Sequence, residues 1–544
     1  MDIFIAPRLP QQHIGLENAP ISTLISGTSP IYKNYHHAPT SGGKEEAERN
    51  VDHVFQTGYD EVAAPEPNKR GLALLMIVVA LALSMFLVSL DMTIVATAIP
   101  RITDEFGGID LLSFLIAIVL FEVGSLICGV APNSLALIIG RAITGVGGAG
   151  ISSGAFTIIA FSAPPKKRPA YIGILGASYG VAAAVGPLIG GAFTSHATWR
   201  WCFYINLPIG GVSAVIISLF YAPPPASSLS NEPLREKILQ MDIPGAFLLI
   251  GAMVCYALAL QWGGISRPWG SSTVIGTLVG FVALLGAYIF TQWWQTDRAS
   301  MVGRLFDRNV IVAMIYIDLL AGTFFLLVYY LPIYFQVVSG VSAAESGIRN
   351  LPLILAQSVA TVSSGIALSK FDRPLPFLLL GAGLTSIGSG LLYTLDIDSS
   401  AGVWIGYQIL AGVGVGWCFQ VPIVTAQATA APADLSSVTA MVLTVQTLGG
   451  SVFVSAGQSA LDNVLLRSIS ILPGIDSSEV LRAGATGLRN AFGPERLPGI
   501  LAAYMKGIRA ALLVAVIASS LATLVGMGIR RVKLGGIPSS TVPV

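Results

Sequence analysis

The sequence predicts an all-α polytopic membrane protein. Of its 544 residues, 53% are apolar and only 11% are charged, whereas an ordinary soluble domain has about 25% charged residues. The apolar residues form blocks of about 20, long enough to cross a hydrocarbon core of ~30 Å, and most charges lie between the blocks. Because a helix satisfies its own backbone hydrogen bonds in lipid, each block is predicted to be a transmembrane helix.

Thirteen such blocks follow one another along the chain. The chain contains 59 glycines, many of them inside the blocks, where small residues let membrane helices approach closely. The predicted spans are residues 71–99, 111–131, 134–160, 170–194, 203–221, 243–262, 273–293, 310–335, 347–369, 375–394, 403–428, 436–460 and 507–529.

Composition excludes several other classes of protein. A net charge of +1 gives no reason to expect a nucleic-acid partner. The four cysteines lie in apolar blocks and are interpreted as small buried hydrophobes rather than disulfides, and no metal-spaced histidine pair lies in a span, so no metal site is predicted. Residues 1–68 are polar and lack the apolar core of a signal peptide, which predicts a disordered cytoplasmic tail.

Basic residues between the blocks predict which ends face the cytoplasm. Clusters at 164–169 and after the seventh, ninth and last blocks are separated by even numbers of spans and agree on one side. Lys69 and Arg70, before the first block, are three spans away from 164–169 and disagree with it. The conflict lies between residues 71 and 163, a region that contains the short connection RITDEFGGID (101–110).

Asp91 and Arg141 are the clearest charged residues within the blocks. Asp91 lies in SLDMTIVATAIP (89–100), well past the middle of the first block. An isolated charge there is costly, so each residue is expected to pair, to face water or, for the acid, to carry a proton. We interpret the two as an ion pair or a proton relay. The alternative for Arg141 is snorkelling to the outer surface, since it lies only about two turns into its block.

The stretch GASYGVAAAVGPLIGG (176–191) concentrates glycine in one span. Glycines four residues apart make a flat helix face, and a proline removes one backbone hydrogen bond and kinks the helix. This pattern indicates either ordinary close packing or a bending helix in a moving interface. The residues concerned are Gly176, Gly180, Gly186, Pro187, Gly190 and Gly191.

Two motifs resemble enzyme signatures but lie in predicted spans, without the surrounding structure that those signatures require. Gly176-x-Ser178-x-Gly180 has the spacing of a nucleophile elbow, but it lies within a predicted span and no base is near in sequence except His196. GVGGAG (145–150) has the spacing of a dinucleotide-binding loop but also lies mid-span, with no preceding strand. The sequence therefore predicts that the protein is not an enzyme.

Other polar side chains within the spans are candidates for a substrate pocket or for contacts between helices. Amides in spans hydrogen-bond neighbouring helices or line a polar pocket, and aromatic residues such as Tyr316, Tyr329, Tyr330, Trp417 and Phe419 would add apolar walls. The candidate pocket residues are Glu122, Asp318, Gln357, Gln420 and Gln446.

Four stretches in this order resemble the fourteen-span drug:proton antiporter branch of the major facilitator superfamily, and most closely fungal toxin and multidrug efflux pumps. They are LDMTIVATAIPRITDEF (90–106), GRAITGVGGAG (140–150), GASYGVAAAVGPLIGGAFT (176–194) and WRWCFYINLPIGG (199–211). The resemblance covers residues 70–530. It implies that Asp91 is the acid of the first-helix motif, Arg141 the fourth-helix arginine of proton transfer, and 176–191 the antiporter motif of the fifth helix.

The chain departs from this family pattern at one place. Between the first helix and the helix that begins near Leu111, the family has a second helix and a short basic loop, together about 30–35 residues. Both are absent here, and EFGGIDLLSFL (105–115) runs almost directly into the third family helix. Restoring one span would also remove the charge conflict, which was found without the family.

The resemblance also implies a domain organisation. Residues 69–221 form the N-terminal half, one helix short; 222–309 form a linker with two extra spans; and 310–533 form the C-terminal half, including a predicted outer re-entrant or surface segment at 461–506. Lys506 and Arg509 flank that outer side and count against its assignment. Residues 534–544 are predicted to be a cytoplasmic tail.

The implied function is proton-coupled export of bulky apolar molecules: toxins, secondary metabolites or drugs. The proton gradient supplies the coupling ion, and no cofactor is expected. The expected partners are the bilayer, the substrate and protons. The protein is expected to be a monomer in the cell membrane or, alternatively, in the vacuolar membrane. Two alternatives stay open. The protein is transport-defective or regulatory because of the missing helix, or it is a siderophore or nutrient carrier, against which the antiporter motif argues.

Overall fold

The computed structural model describes residues 70–94, 111–221, 242–431, 434–473 and 491–530, with short pieces at 475–476, 479–480 and 487–489 and single residues 532 and 534. The predicted tail at 1–68, the connection 95–110 and nearly all of the tail at 534–544 lie outside the described residues.

Almost all described residues lie in α-helices, as the composition predicts. The helices are α1 (Arg70–Ile94), α2 (Leu111–Val130), α3 (Ser134–Ser162), α4 (Arg168–His196), α5 (Trp201–Tyr204), α6 (Asn206–Phe220), α7 (Ile243–Trp262), α8 (Ser272–Gln295), α9 (Arg308–Ser339), α10 (Ala343–Arg349), α11 (Leu351–Phe371), α12 (Pro374–Tyr393), α13 (Ala401–Cys418), α14 (Val421–Thr429), α15 (Leu435–Ile469) and α16 (Leu497–Gly526).

These helices confirm an all-α polytopic membrane protein. Among the described residues, ten helical segments are long and apolar enough to cross a membrane, and two shorter apolar segments lie within α1 and α2. Every predicted block contains at least one helix. The exact number of spans stays a prediction.

The helix bounds add a break to two of the predicted spans and lengthen two others, while each broken block is still a single apolar segment of membrane length. The block 403–428 divides into α13 and α14 at Phe419 and Gln420, because Pro422 lacks a backbone N–H and crowds the carbonyl four residues before it. The block 203–221 divides at Ile205. Helix α15 continues to Ile469 and α16 begins at Leu497, so both helices extend into the stretch 461–506 that was predicted as an outer segment.

The helices of the N-terminal half pack through a seam of glycines between α2 and α3. A Cβ on Gly140 would meet Cys128, and a Cβ on Gly154 would meet the ring of Phe114. Early residues of α3 therefore face late residues of α2, and the two helices run antiparallel. This seam includes Gly147 of GVGGAG, which lies within α3 as predicted and is not part of a loop.

Helix α1 is also antiparallel to α3, and hence parallel to α2. Asp91 pairs with Arg141, and Val88 lies beside Gly148. Ile94 and Leu111, the ends joined by residues 95–110, therefore lie at opposite ends of the helical bundle. The start of α1 lies at the same end of the bundle as the basic cluster before α4, so Arg70 faces the same side as the other basic clusters. The disagreement in predicted orientation therefore concerns the connection 95–110.

The C-terminal half surrounds the long helix α9, which packs against α15 and α16. The two linker helices pack together, and α7 attaches them to α15. The Tyr256 hydroxyl of α7 donates to the Val452 carbonyl, 3.1 Å away, and the amide of Asn463 donates to the Gly263 carbonyl, 3.1 Å away. The linker helices are thus an accessory of the C-terminal half.

Buried Asp242 ties the two linker helices together at one end. Its carboxylate caps α7 by accepting from the Gly245 N–H, and it also accepts from the side-chain amides of Gln292 and Gln295 and from the N–H and hydroxyl of Ser300. This acid lies in the connection before the sixth block, and no pattern in the sequence singled it out.

Candidate functional site

A buried ion pair joins α1 to α3. Nη1 of Arg141 lies 2.6 Å from each carboxylate oxygen of Asp91. The exposed fractions of the two residues are only 5% and 2%. The structure thus brings together the two charged residues singled out in the sequence, and Arg141 does not snorkel to the surface.

Polar residues of α2 and α6 extend this ion pair. The Asn206 amide nitrogen lies 2.8 Å from the Ser125 hydroxyl oxygen and 3.5 Å from Oδ1 of Asp91. Among the described residues, Nε and Nη2 of Arg141 are buried and have no hydrogen-bond acceptor. The guanidinium therefore holds Asp91 through one nitrogen and keeps donors for another acceptor. We call Asp91, Arg141, Asn206 and Ser125 the charged cluster.

Glu122 lies beside the charged cluster rather than in a central pocket. It is three residues before Ser125 on α2, and its carboxylate packs against Gly210, four residues after Asn206 on α6. A Cβ at Gly210 would collide with Oε1 of Glu122, so only glycine leaves room for this carboxylate. Both carboxylate oxygens are buried without a hydrogen-bond partner in the described part of the chain.

The glycines of α4 form the main contact between the two halves. A Cβ on Gly180 would collide with the Ser358 hydroxyl, and a Cβ on Gly176 would lie 2.7 Å from the amide nitrogen of Gln420 and 2.9 Å from Thr361. Helix α4 therefore packs closely on α11 for most of its length. Gly186, Pro187, Gly190 and Gly191 lie further along α4, in a helix that continues through the proline to His196.

An aromatic cluster with nearby amides lies where the halves meet. The ring of Phe324 in α9 lies 6.2 Å from that of Tyr179 in α4 and 5.5 Å from that of Phe419, at the break between α13 and α14. Gln420 follows in the same break, and its buried Oε1 has no hydrogen-bond partner among the described residues. Gln357 of α11 instead uses its amide nitrogen on Thr361, 3.2 Å away.

The other predicted pocket residues lie elsewhere in the C-terminal half. Asp318 packs against Gly449 between α9 and α15, and Gln446 lies on α15 one turn before that contact. Tyr316 and Tyr330 are fully buried and donate hydrogen bonds to the carbonyls of Leu378 and Val454, so they are core residues rather than pocket walls. The helix break and Tyr179 were missed; Pro422 was the available signal for the break.

A cavity of about 690 Å³ lies away from these residues, between α10, α11 and α13. Its wall includes Arg349, Leu355 and Trp404, and neither the charged cluster nor Gln420 contributes to it. The features that could couple a charge to movement of the two halves therefore lie outside this cavity.

The motif that resembles a nucleophile elbow is ordinary helix. The Ser178 hydroxyl donates to the Leu175 carbonyl of its own helix, 2.6 Å away, and Gly180 belongs to the contact with α11. In the described ranges no three His, Cys, Asp or Glu residues are grouped as metal ligands would be. Cys128, Cys202, Cys255 and Cys418 are free thiols.

Apolar helices of membrane length, packed as two halves along a small-residue contact, define an integral membrane protein. The comparison with known families agrees: residues 108–454 match the Major Facilitator Superfamily, and the chain belongs to that family. It is a multi-pass membrane protein and a secondary transporter.

Its relatives include several fungal proteins. The chain is 43% identical to the MFS-type transporter grgE of a Penicillium species, covering 91% of this chain and 94% of that one. It is 43% identical to the probable efflux pump gsfJ of Penicillium aethiopicum (86% and 89% covered) and 42% identical to the MFS-type efflux pump MFS1 of Arthroderma benhamiae (85% and 92% covered).

Solved structures share the fold. A bacterial homologue of the human lysosomal transporter Spinster, in an inward-facing and occupied conformation, superposes with a TM-score of 0.51 at 17% identity, over 85% of this chain and 97% of that one.

The alignment with grgE has 534 positions, and the 91% of this chain that it covers is about 495 residues. About 39 aligned positions therefore have no residue in this chain.

Proposed function

We propose that the protein is a proton-coupled secondary transporter that exports bulky apolar small molecules. The observation that carries the proposal is the buried pair of Asp91 and Arg141, which joins two helices inside a transporter fold. Relatives described as efflux pumps support the direction of transport.

The ion pair offers a physical route from a proton to helix movement. A proton on Asp91 removes the negative charge that holds Nη1 of Arg141, so the contact between α1 and α3 weakens. A buried arginine left without its counter-ion is costly, and the cost favours a second arrangement of the helices in which it finds another acceptor or water. Proton binding would thus bias the two states of the transporter.

The close contact of α4 with α11 supports movement between the halves. Transporters of this architecture work by rocking of two halves about a site near the middle of the membrane. Gly176 and Gly180 make a flat face against α11 without interlocking side chains, so the two helices have a smooth surface on which to tilt.

The aromatic cluster supports a bulky apolar substrate. Tyr179, Phe324 and Phe419 come from both halves. Phe324 and Phe419 are buried in this arrangement, so a substrate would reach them when the halves move apart, and the unpartnered oxygen of Gln420 would then give it one hydrogen-bond acceptor among apolar walls. A few polar groups in an apolar site fix orientation without selecting a narrow substrate class.

The test uses inside-out membrane vesicles from a yeast strain that lacks its own multidrug pumps, with rhodamine 6G as the probe. Vesicles with the full-length protein should accumulate the dye when their interior is acidified, and Asp91→Asn should reduce this accumulation at least tenfold. Accumulation by Asp91→Asn equal to that of the native protein would contradict the role of Asp91. Uptake only into right-side-out vesicles would instead support the nutrient-carrier alternative.

A second candidate is a family member that does not transport. The observation that favours it is the parallel course of α1 and α2, which leaves residues 95–110 to join opposite ends of the bundle. That sequence contains Arg101, Asp104, Glu105 and Asp110, which are costly in a bilayer. A monodisperse protein that binds the dye but never accumulates it, under any pH gradient, would support this candidate.

We also propose that the protein acts as a monomer in the plasma membrane. A fluorescent fusion should mark the cell outline, whereas a signal at the vacuole would favour the vacuolar alternative. Cross-linking in the native membrane should give a single species of about 57 kDa.

A further inference from the structure

We propose that Glu122 is a second proton-binding residue. Asp91 and Glu122 pair with Arg141 in turn, and the proton that Glu122 releases passes one helical turn deeper, along the contact between α1 and α6. This proposal rests on the proposed function and names a further residue of the same coupling site.

The first support is the state of the Glu122 carboxyl group. Both oxygens are buried, and the described residues give them no hydrogen-bond donor and no cation. An ionised carboxylate in such a place is costly, so Glu122 is held as the neutral acid while Asp91 keeps Arg141. A group that lacks only a counter-ion is ready to give up its proton when one arrives.

The second support is the set of charges in the charged cluster, which lies beside Glu122. Asp91 of α1 and Arg141 of α3 are the charged side chains of the adjoining cluster, and α6 contributes the neutral Asn206 and Gly210. Arg141 has two buried donors, Nε and Nη2, that no described acceptor uses. The charged cluster and Glu122 together therefore contain one cation and two acids, and the cation can satisfy only one acid fully at a time.

The third support is a pair of buried hydroxyl groups one helical turn beyond Gly210, the residue against which Glu122 packs. One turn deeper than Gly210 on α6, Ser213 contacts the hydroxyl of Ser84 on α1, and the two hydroxyls lie 2.8 and 3.0 Å from the carbonyl of Ala80. Both serines have an exposed fraction of 0%. Hydroxyl groups can accept and donate a proton, so the two serines would relay a proton released by Glu122 toward the basic end of the bundle.

The proton balance is one proton per passage. A proton binds Asp91 and releases Arg141; the guanidinium turns to Glu122, whose O–H bond then breaks as the carboxylate gains the cation. That proton leaves toward Ser84 and Ser213. On return, the Asp91 proton moves to the Glu122 carboxylate and Arg141 pairs with Asp91 again, so no charge is created or lost in the cycle.

The test compares Glu122→Gln with the native protein in proteoliposomes, using rhodamine 6G. We expect Glu122→Gln to lose dye accumulation driven by a pH gradient at least tenfold, yet to keep exchange of internal for external dye, which needs no net proton transfer. Glu345→Gln is the matched control, because that acid is 46% exposed and pairs only with Arg349. It should behave like the native protein.

Two further variants keep the test decisive if Glu122→Gln does not fold. Glu122→Asp retains a titratable group drawn back from Gly210 and should keep driven accumulation with a displaced pH profile. Gly210→Ala should displace the carboxyl and cut driven accumulation while sparing exchange. Driven accumulation with an unchanged pH profile in the Glu122 variants would overturn the proposal, whereas native protein without any gradient-driven accumulation would overturn the proposed function itself.

Discussion

A single guanidinium nitrogen of Arg141, Nη1, lies 2.6 Å from both carboxylate oxygens of Asp91, at a depth where both side chains are almost fully buried. The pair uses one of the three guanidinium nitrogens. An arginine held at one point can leave its partner by a rotation, whereas one held by two parallel hydrogen bonds has a more rigid geometry. This geometry fits a contact that opens and closes in a working cycle.

The ion pair predicts a non-additive effect on stability. Arg141→Gln leaves Asp91 buried without its cation and should destabilise the protein by about 3–5 kcal/mol. Adding Asp91→Asn should recover much of this loss, because the double variant buries two neutral amides instead of one unpaired charge. Thermal unfolding of the two single variants and the double variant in detergent measures the coupling. Simple addition of the two single effects would contradict the prediction.

The contact between Gly180 and Ser358 predicts a rescue experiment. Gly180→Ala should lower transport several-fold, since its methyl group would collide with the Ser358 hydroxyl and push α4 from α11, a strain of about 1–3 kcal/mol. Ser358→Gly removes the obstacle and should restore dye accumulation in the double variant. Gly211→Ala, where a Cβ meets nothing within 4 Å, is the control. Loss without rescue would mean that Gly180 acts other than through this contact.

At the break between α13 and α14, Gln420 is predicted to affect substrate binding but not proton coupling. Gln420→Ala removes an amide oxygen that the described protein leaves unpartnered, and should raise the KM for rhodamine 6G several-fold with little change in the maximal rate. Ser451→Ala serves as the comparison, because the hydroxyl of this half-buried serine donates to the Thr447 carbonyl of its own helix. An unchanged KM with a lower maximal rate would place Gln420 in helix packing rather than in substrate binding.

Asp242 is predicted to stabilise the fold without taking part in transport. Asp242→Asn weakens hydrogen bonds that the carboxylate accepts from Gly245, Gln292, Gln295 and Ser300, and hydrogen bonds to a charged group contribute about 1.5–3 kcal/mol each. The midpoint temperature of unfolding should fall by several degrees while the KM stays unchanged. Asp307→Asn, at an exposed helix cap, should change the midpoint much less.

The parallel course of α1 and α2 predicts a definite sidedness. Cysteines introduced one at a time at Arg70 and Lys166, in a Cys255→Ala background whose three remaining cysteines are buried, should be labelled by an impermeant maleimide from the same side of the membrane. A cysteine at Trp199, at the opposite end of the bundle, should be labelled from the other side. Labelling of positions 70 and 166 from opposite sides would show that α1 inserts in the reverse direction.

The same geometry predicts more coding sequence than this chain contains. A transcript that supports transport should encode about 30–35 further residues, including one apolar span, between the codons of Phe106 and Leu112. Reverse transcription and sequencing across this region gives the answer. A continuous exon there, together with a transporting protein, would contradict the missing-helix hypothesis.

Hydropathy and spacing were enough to predict the class of this protein. The apolar blocks predicted the helical character of every span, because a membrane leaves the backbone no other way to satisfy its hydrogen bonds. The cost of an unpaired charge in lipid singled out Asp91 and Arg141. Resemblance of four motifs predicted the family, which the match over residues 108–454 confirms.

Only the tertiary structure could decide which side chains meet. Glu122, Asp318 and the glutamines were equivalent polar residues in the sequence. The fold places Glu122 against Gly210, one helical turn from Asn206 of the charged cluster, and it places Gln420 beside the contact of α4 with α11. Hydropathy records that a residue is in a span but not which neighbour its helix face meets, because that depends on the packing of helices distant in sequence. For the same reason, the basic residues of the sequence showed only that the predicted orientations of the spans disagree somewhere between residues 71 and 163. The parallel course of α1 and α2 narrows that disagreement to the connection between Ile94 and Leu111.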